Sequence, residues 1–475
     1  PGWPSPPSRS VEGAPTKPMT DEYRHSLDYL YGRLDYERLG MPRTESDLRL
    51  GRMRRLLRSL DDPQDALRIV HVAGTKGKGS TAFMIASASI AAGHRTGLFT
   101  SPHLHRLEER FQVDGAEATP GDIVVLVDAV RPAVERLDRV DPRFREVGAT
   151  FFEITTAMGL LHFARCGVGL VVLEVGMGGR LDSTNAVCPV VSVLTSISFD
   201  HTRLLGSTLA AIAAEKAGII KRGRPVVSGV RGAEPRAIIR QIAASRRSPL
   251  REIDVDFRYD YQPPQQPLTR PTPGQAHVST WRTDWGIVEP SLLGEHQILN
   301  ASVALASIDV LDEQGFSIGR EPALRSFTNL QWPARAEVLL ERPWIVVVDG
   351  AHNAASASAL ADTLRTCFPQ VSRTLLFGSS REKDFRAQLE ALLPLFDRVI
   401  CTRYANNPRA VPPADVAEVI LDLGRPDVVV CDNPERAWEV ARSITPDGAL
   451  ICATGSLFLA GEMRAVVQGR SPGGA

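Results

Sequence analysis

The chain has 475 residues and a mass of 51.7 kDa, with 55 Lys+Arg against 55 Asp+Glu. Zero formal charge excludes a nucleic-acid binder working through a net positive field and leaves room only for a local basic groove. With 43% hydrophobic and 23% charged residues a packed core is within reach and global disorder is excluded; at about 100–200 residues per domain the length predicts two or three domains.

No window approaches the roughly 18 consecutive apolar residues of a membrane span, and no basic-plus-apolar leader opens the sequence. Cys166, Cys188, Cys367, Cys401, Cys431 and Cys452 form no C-x-x-C pair. That spacing suits reduced thiols in a cytoplasmic protein better than a disulfide frame or a zinc site. Of the 55 basic residues only six are lysines: Lys17, Lys76, Lys78, Lys216, Lys221 and Lys383. A lysine kept in so arginine-rich a chain marks a place that needs a compact ammonium or an amine able to lose its proton; for Lys17, in a Pro-rich tail, chance suffices.

In chain order, residues 1–19 are Pro/Ser/Gly-rich and predict a disordered tail. Helical spacing covers Tyr23–Leu30 and Ser46–Leu60. A βα unit follows: an apolar run Arg68–Ala73, a glycine-rich loop Gly74–Ser80, and a helix Thr81–Ala92. Arg95–Thr100 reads as a strand, Asp122–Leu137 and Phe151–Arg165 as helices. Gly169–Val175 and Val190–Ser196 are near-continuous apolar strands of the kind buried on both faces of a parallel sheet. Leu209–Ile219 and Pro235–Ala244 are helical, Tyr261–Gly274 is a breaker-rich loop, and Val278–Ile287 alternates as a hairpin strand. Glu295–Leu311 predicts an amphipathic helix and Glu321–Leu330 a last one before a linker at Gln331–Pro333. Strands at Trp344–Asp349, Arg373–Phe377, Arg398–Cys401, Asp427–Cys431 and Ala449–Ala453 then alternate with helices. The fold class is therefore α/β: an N-terminal domain (20–330) with a phosphate-loop-type, mostly parallel sheet, and a smaller Rossmann-like C-terminal domain (331–475).

Gly74-Thr75-Lys76-Gly77-Lys78-Gly79-Ser80 lies between a strand and a helix. Glycines let backbone N–H groups wrap a phosphate chain, the helix start adds positive potential, and a Lys reaches the outer phosphates. The adjacent hydroxyl of Ser80 can ligate Mg²⁺. The spacing departs from the usual phosphate loop, because Gly79 intervenes between Lys78 and Ser80. Lys78 is the principal candidate and Lys76 flanks it. Three more polar segments sit at strand ends, where ligands bind open parallel sheets: Thr100–Leu104, Leu173–Asn185 and Phe199–Thr202. Taken singly each reads as a cap, a salt bridge or a satisfied loop histidine. Together, Ser101, Glu174 and His201 offer oxygen, carboxylate and imidazole ligands. Lys216, in Glu215–Lys221, is either half of an ordinary ion pair or an amine carbamylated by CO₂.

In this order, Ala73–Ser80, Ser101–Leu104, Leu173–Asn185, Asp200–Thr202, Glu215–Ile219 and Asp349–Asn353 resemble the folylpolyglutamate synthase/dihydrofolate synthase family of the Mur ligase superfamily. The resemblance implies an ATP-dependent ligase that makes an acyl phosphate, which the amine of L-glutamate attacks. It implies ATP contacts from Gly74, Thr75, Lys76, Gly77, Lys78, Gly79, Ser80, Asn300, Arg335 and Asp349, with His352 nearby as a catalytic candidate beside Lys78, Lys216 and His201. It implies two Mg²⁺ ions with Ser80, Ser101, Glu174 and His201 as ligands, and Lys216 as N6-carboxylysine. Pterin or folate contacts would fall on Asp47, Leu48 and Arg49, on Thr150, Phe151, Phe152 and Glu153, and on Leu181, Asp182 and Ser183. The implied substrates are ATP, L-glutamate, dihydropteroate, and tetrahydrofolate with its polyglutamates, handled by a monomer without nucleic acid or membrane. Ala354 stands where the family often has Pro, and Lys383 matches the family's Asp-Lys-Asp segment only in part and is left without a role.

The alternatives are folylpolyglutamate synthesis alone, a cell-wall Mur ligase, and a regulatory ATPase. The Mur ligase needs a further domain of about 100–150 residues ahead of the phosphate loop, more than the stretch after residue 20 supplies. The regulatory ATPase releases phosphate without glutamate.

Overall fold

The computed structural model describes residues 20–39, 50–141, 148–405 and 407–470. The tail reading of 1–19 and the candidates Asp47–Arg49 lie outside them.

The first domain is built on β1 (Ile69–Ala73), β2 (Thr96–Phe99), β3 (Phe111–Val113), β4 (Ala116–Glu117), β5 (Leu170–Glu174), β6 (Val191–Leu194), β7 (Val226–Ser228) and β8 (Leu250–Glu252). They form one sheet in the order β4-β3-β2-β5-β1-β6-β7-β8. β2 through β8 in that order are parallel, with antiparallel β3 and β4 at one edge. β1, β5 and β6 are buried along their whole length, because helices cover both faces. After β5 the chain jumps across β1 to β6. That reversal puts the carboxyl ends of β2, β5, β1 and β6 side by side around the crevice where such sheets bind ligands.

A small sheet follows: β9 (Phe257–Gln262), β10 (Gln275–Thr280) and β11 (Asp284–Val288), in the order β11-β10-β9. The alternation across Val278–Ile287 therefore belongs to two strands and the turn between them, since both limbs of a hairpin keep the period of two. Helix Glu295–Glu313 is a second correction. It is not amphipathic: Ile298, Ala301, Val303, Ala304, Leu305, Ile308 and Leu311 are all buried. It is wedged between the helix Lys78–Ala91 and the sheets, so no side is left for water.

The second domain carries β12 (Glu337–Leu340), β13 (Ile345–Val348), β14 (Arg373–Phe377), β15 (Arg398–Cys401), β16 (Val428–Val430) and β17 (Leu450–Thr454). Their order is β12-β13-β17-β14-β15-β16, parallel except for β12. The linker is fastened to the first domain: Trp332 stacks on Phe83 of helix Lys78–Ala91, centroids 4.6 Å apart. Immediately after it, Ala334 and Ala336 hold positive φ of 55° and 45°. All six cysteines are free thiols. Among the described residues no helix is long and apolar enough to cross a membrane.

Candidate active site

The helix begins at Lys78, earlier than its apolar spacing suggests, because glycine-rich Lys78–Ser80 is its first turn. Gly77 caps it at φ 82°, and a Cβ there would come within 2.1 Å of Asn300 Oδ1. Only glycine allows both the left-handed turn and that approach. Asn300 is in turn held by Gln297, whose Oε1 accepts from its Nδ2 at 3.0 Å. The loop is stitched to the end of β6: Thr75 N donates to Ser196 O at 2.7 Å and Lys76 N to Ser196 Oγ at 2.9 Å. Thr195 Oγ1 donates to Lys76 O at 2.6 Å.

Glu174, the last residue of β5, faces this loop. Ser101 N donates to its Oε2 at 3.2 Å, and Lys78 Nζ stands 4.0 Å from Oε1. Burial pushes the Glu174 carboxyl above its ordinary range, against the pull of Lys78. A buried carboxylate with one distant ammonium has charge to spare for a cation. Ser80 is buried on the first helical turn. His201 opens the short helix Thr202–Leu205 at φ 51°, and burial drives its imidazole down to about 3, so a lone pair is free. Carboxylate, hydroxyls and a neutral imidazole make a donor set suited to Mg²⁺, which typically takes one or two carboxylates and completes its shell with substrate phosphates and water. Among the described residues no three His, Cys, Asp or Glu side chains cluster as a metal cage by themselves.

Lys216, on helix Leu209–Ala217, is buried and donates to Gly74 O at 3.0 Å. Burial, with Lys78 nearby, pushes its amine down to about 7. Lys76 donates to Asp200 Oδ2 and to His352 Nε2, each at 3.1 Å, and burial brings its amine to about 8. His352 Nδ1 is 2.8 Å from Gly350 O, so it carries the proton and Nε2 accepts from Lys76. Burial works against the Asp200 charge, yet Lys76, His201, Lys383 and His352 hold the carboxyl far below its ordinary range.

Asp349, after β13, accepts from Ala336 N and Ala351 N, both at 2.7 Å, and ties the linker to the second domain. Arg335 lies beside Gly350, where a Cβ would come within 2.9 Å of its Nη1. The remaining sequence candidates lie at the start of helix Phe151–Cys166 and in the loop after β5. Thr150 and Glu153 form the capping box of helix Phe151–Cys166, and Glu153 takes both Nε and Nη2 of buried Arg52 at 3.0 and 3.1 Å. Phe151 is core, whereas Phe152 is half-buried against Gly176. Asp182, between half-buried Leu181 and Ser183, accepts from Met177 N at 2.8 Å and Thr184 N at 3.0 Å and so shapes the loop after β5.

Sequence reasoning missed Asp200 as a hub, with Lys383 Nζ at 2.7 Å and Asn353 Nδ2 at 3.0 Å on it. A signal was present: Lys76, Lys78, Lys216 and Lys383, four of the chain's six lysines, converge here.

Two ligase families match the chain in register with its sheets: the Mur ligase middle domain over residues 72–308, and the Mur ligase glutamate ligase domain over 334–457. The chain is thus an ATP-dependent ligase of the Mur type. A dihydrofolate synthase/folylpolyglutamate synthase of Bacillus subtilis is 31% identical over 453 residues, spanning 94% of this chain and 99% of that protein. Folylpolyglutamate synthase of Mycobacterium tuberculosis, solved with ADP, superposes with a TM-score of 0.85 at 30% identity, covering 95% of this chain and 99% of the other. E. coli FolC, solved with DHPP and ADP, gives 0.79 at 26% identity, covering 96% and 99%. The chain belongs to the folylpolyglutamate synthase/dihydrofolate synthase family.

Proposed function

We propose that the chain joins L-glutamate by an amide bond to dihydropteroate, and to the γ-carboxylate of tetrahydrofolate and its polyglutamates, at the expense of ATP. The observation that carries this is the convergence of the phosphate loop, buried Glu174 and four lysines at the mouth of the first sheet, facing His352 and Arg335 of the second domain. Such a site serves reactants that are all anions. The relatives named above support both activities; folylpolyglutamate synthesis alone is the narrower alternative.

The reaction begins when a substrate carboxylate oxygen bonds to the γ-phosphorus and the bond to ADP breaks. The amine of glutamate then attacks the acyl carbon, phosphate leaves, and the nitrogen gives up a proton. The amides of Gly77–Ser80 would hold the phosphate chain, with Asn300 buttressing Gly77 and Thr75 anchoring the loop to β6. Lys78 would carry positive charge to the oxygens where negative charge grows; a pre-placed cation is worth most in such a water-poor site. Arg335 and Asp349 bring second-domain contacts to the nucleotide, and closure of the domains keeps water from the acyl phosphate. Ser80, Ser101, Glu174 and His201 would hold Mg²⁺, which when bound damps repulsion between ATP and the attacking carboxylate.

Lys216 fits a carbamate. An amine brought to about 7 is half neutral near neutral pH. Its lone pair can add to the carbon of CO₂ and release a proton, leaving an anion for a second Mg²⁺. Pterin contacts are assigned to Phe152 and to the loop around Leu181–Ser183, with Thr150 and Glu153 shaping the segment. The protein works as a monomer in this reading.

The test is ADP release by purified protein with ATP and Mg²⁺, with and without glutamate, on dihydropteroate and on tetrahydrofolate. Glutamate-dependent turnover on both is expected. Turnover on tetrahydrofolate alone leaves the narrower activity, and phosphate release without glutamate overturns the ligase reading.

A further inference from the structure

Asp200 lies at the seam between the two domains. From the first domain it accepts Lys76 Nζ at 3.1 Å. From the second it accepts Asn353 Nδ2 at 3.0 Å and Lys383 Nζ at 2.7 Å. His352 Nε2 stands 3.8 Å from Oδ2 and His201 Nε2 3.7 Å from Oδ1. The Asp200 side chain is only 8% exposed, and those of Lys383 and Lys76 are 15% and 24% exposed. Besides the backbone N–H of His201 at 3.0 Å, its three side-chain donors come from three segments: the phosphate loop, the cap of helix Ala354–Thr366, and the loop ahead of helix Phe385–Leu392.

The charge count is uneven. Two ammonium groups share one carboxylate, so the knot keeps a positive charge that its own residues do not neutralise. Holding unmatched charge away from water is costly unless an anion comes to meet it. The same carboxylate also ties the second domain to the phosphate loop. An anion arriving at Lys76 or Lys383 therefore meets cations already in place, and their anchor need not move.

We infer that Asp200 is a positioning residue: it draws the second domain onto the phosphate loop and presets Lys76 and Lys383 as a cationic pair whose surplus charge awaits the transferred phosphoryl group. Asp200 touches neither substrate nor nucleotide in this role; it acts through the two lysines and Asn353. The inference deepens the ligase reading and rests on it, while its effect on domain closure stands apart from turnover.

The experiment is a double-mutant cycle in the full chain with Asp200→Asn and Lys383→Met. It is read by glutamate-dependent ADP release, by equilibrium binding of Mg²⁺-ADP, and by small-angle X-ray scattering without ligand. Each single variant should lose at least tenfold in kcat while its Kd for Mg²⁺-ADP stays within threefold. The double variant should be no more than about twofold worse than the worse single, because both break one link. Both singles should have a larger radius of gyration than the unaltered protein. Losses that multiply, an unchanged kcat for Lys383→Met, loss of ADP affinity in step with kcat, or an unchanged radius of gyration would each overturn the inference. Should Asp200→Asn not fold, Asn353→Asp serves in its place: Asp caps a helix as well as Asn, so helix Ala354–Thr366 keeps its start, but a second carboxylate now faces Asp200. An expanded particle with kcat down at least tenfold is expected, and a compact, fully active one overturns the proposal.

Discussion

Lys216 Nζ donates a hydrogen bond to the carbonyl oxygen of Gly74 at 3.0 Å, fixing a buried amine against the first residue of the phosphate loop. Burial and Lys78 hold that amine about 7, below its ordinary 10.5. The unfolded chain therefore binds the proton more tightly, and between about pH 7 and 10.5 stability rises with pH. Lys76 and Lys221, each brought to about 8 by burial, act with the same sign. In CO₂-free buffer, melting temperatures across this window should climb for the unaltered chain and climb less for Lys216→Leu; parallel curves would remove the buried-amine account.

Carbamylation consumes the neutral amine and CO₂ together, so activity should depend on dissolved CO₂ on both sides of about pH 7, with more CO₂ needed for half-maximal activity below it, where the amine is protonated. Lys216→Arg should be inactive whatever the bicarbonate level, since a guanidinium cannot take up CO₂. A ¹³C-bicarbonate signal that appears on the unaltered protein and vanishes in Lys216→Arg is the direct measurement.

Lys78→Met should leave the fold intact, because the ammonium's named protein contact is a 4.0 Å approach to Glu174. The loss in kcat should be about 100- to 1,000-fold, the scale of removing one pre-placed electrostatic partner. Near-normal turnover with a normal melting curve would move the outer phosphates elsewhere.

Gly77→Ala places a Cβ 2.1 Å from Asn300 Oδ1 at a φ of 82°. The backbone strain alone costs about 1–3 kcal/mol, and ADP affinity should fall with it. Adding Asn300→Gly removes the clash but not the strain, so the double variant should melt higher than Gly77→Ala alone. Equal melting would assign the whole cost to φ.

Glu153→Ala takes the carboxylate from buried Arg52 and opens the capping box with Thr150. Breaking a buried pair from one side costs about 3–5 kcal/mol, so a large drop in denaturation midpoint is expected. A small drop with lost dihydropteroate affinity would make Glu153 a substrate contact rather than a structural one.

The first domain was legible wherever its strands are long and covered. β1, β5 and β6 are near-continuous apolar runs, with His71 in β1 and Ser192 in β6 as the polar interruptions, and each ends in a polar motif that the sheet brings to one edge. β7 and β8, with three residues each, and the edge pair β3 and β4 leave too short a period to detect. Helix Glu295–Glu313 misled because tertiary burial overrode its few polar positions. At the site, the phosphate loop, Glu174 and Lys216 could be found because each lies within a local motif. Asp200 could not be ranked the same way: Lys383 is 183 residues away in sequence, and only folding brings them together. The scarcity of lysine was the one trace of that meeting.

The stack of Trp332 on Phe83 restricts how the halves of the molecule can move. With Trp332 pinned there, and with Ala334 and Ala336 already hydrogen-bonded to Gly350 and Asp349 of the second domain, the freedom left to the linker lies at Pro333 between them. A hinge so short cannot slide; it can only swing. Arg335 sits two residues past the pivot, between residues bonded to the far lobe, so its guanidinium turns as that lobe turns, and the angle between the lobes sets where that charge points.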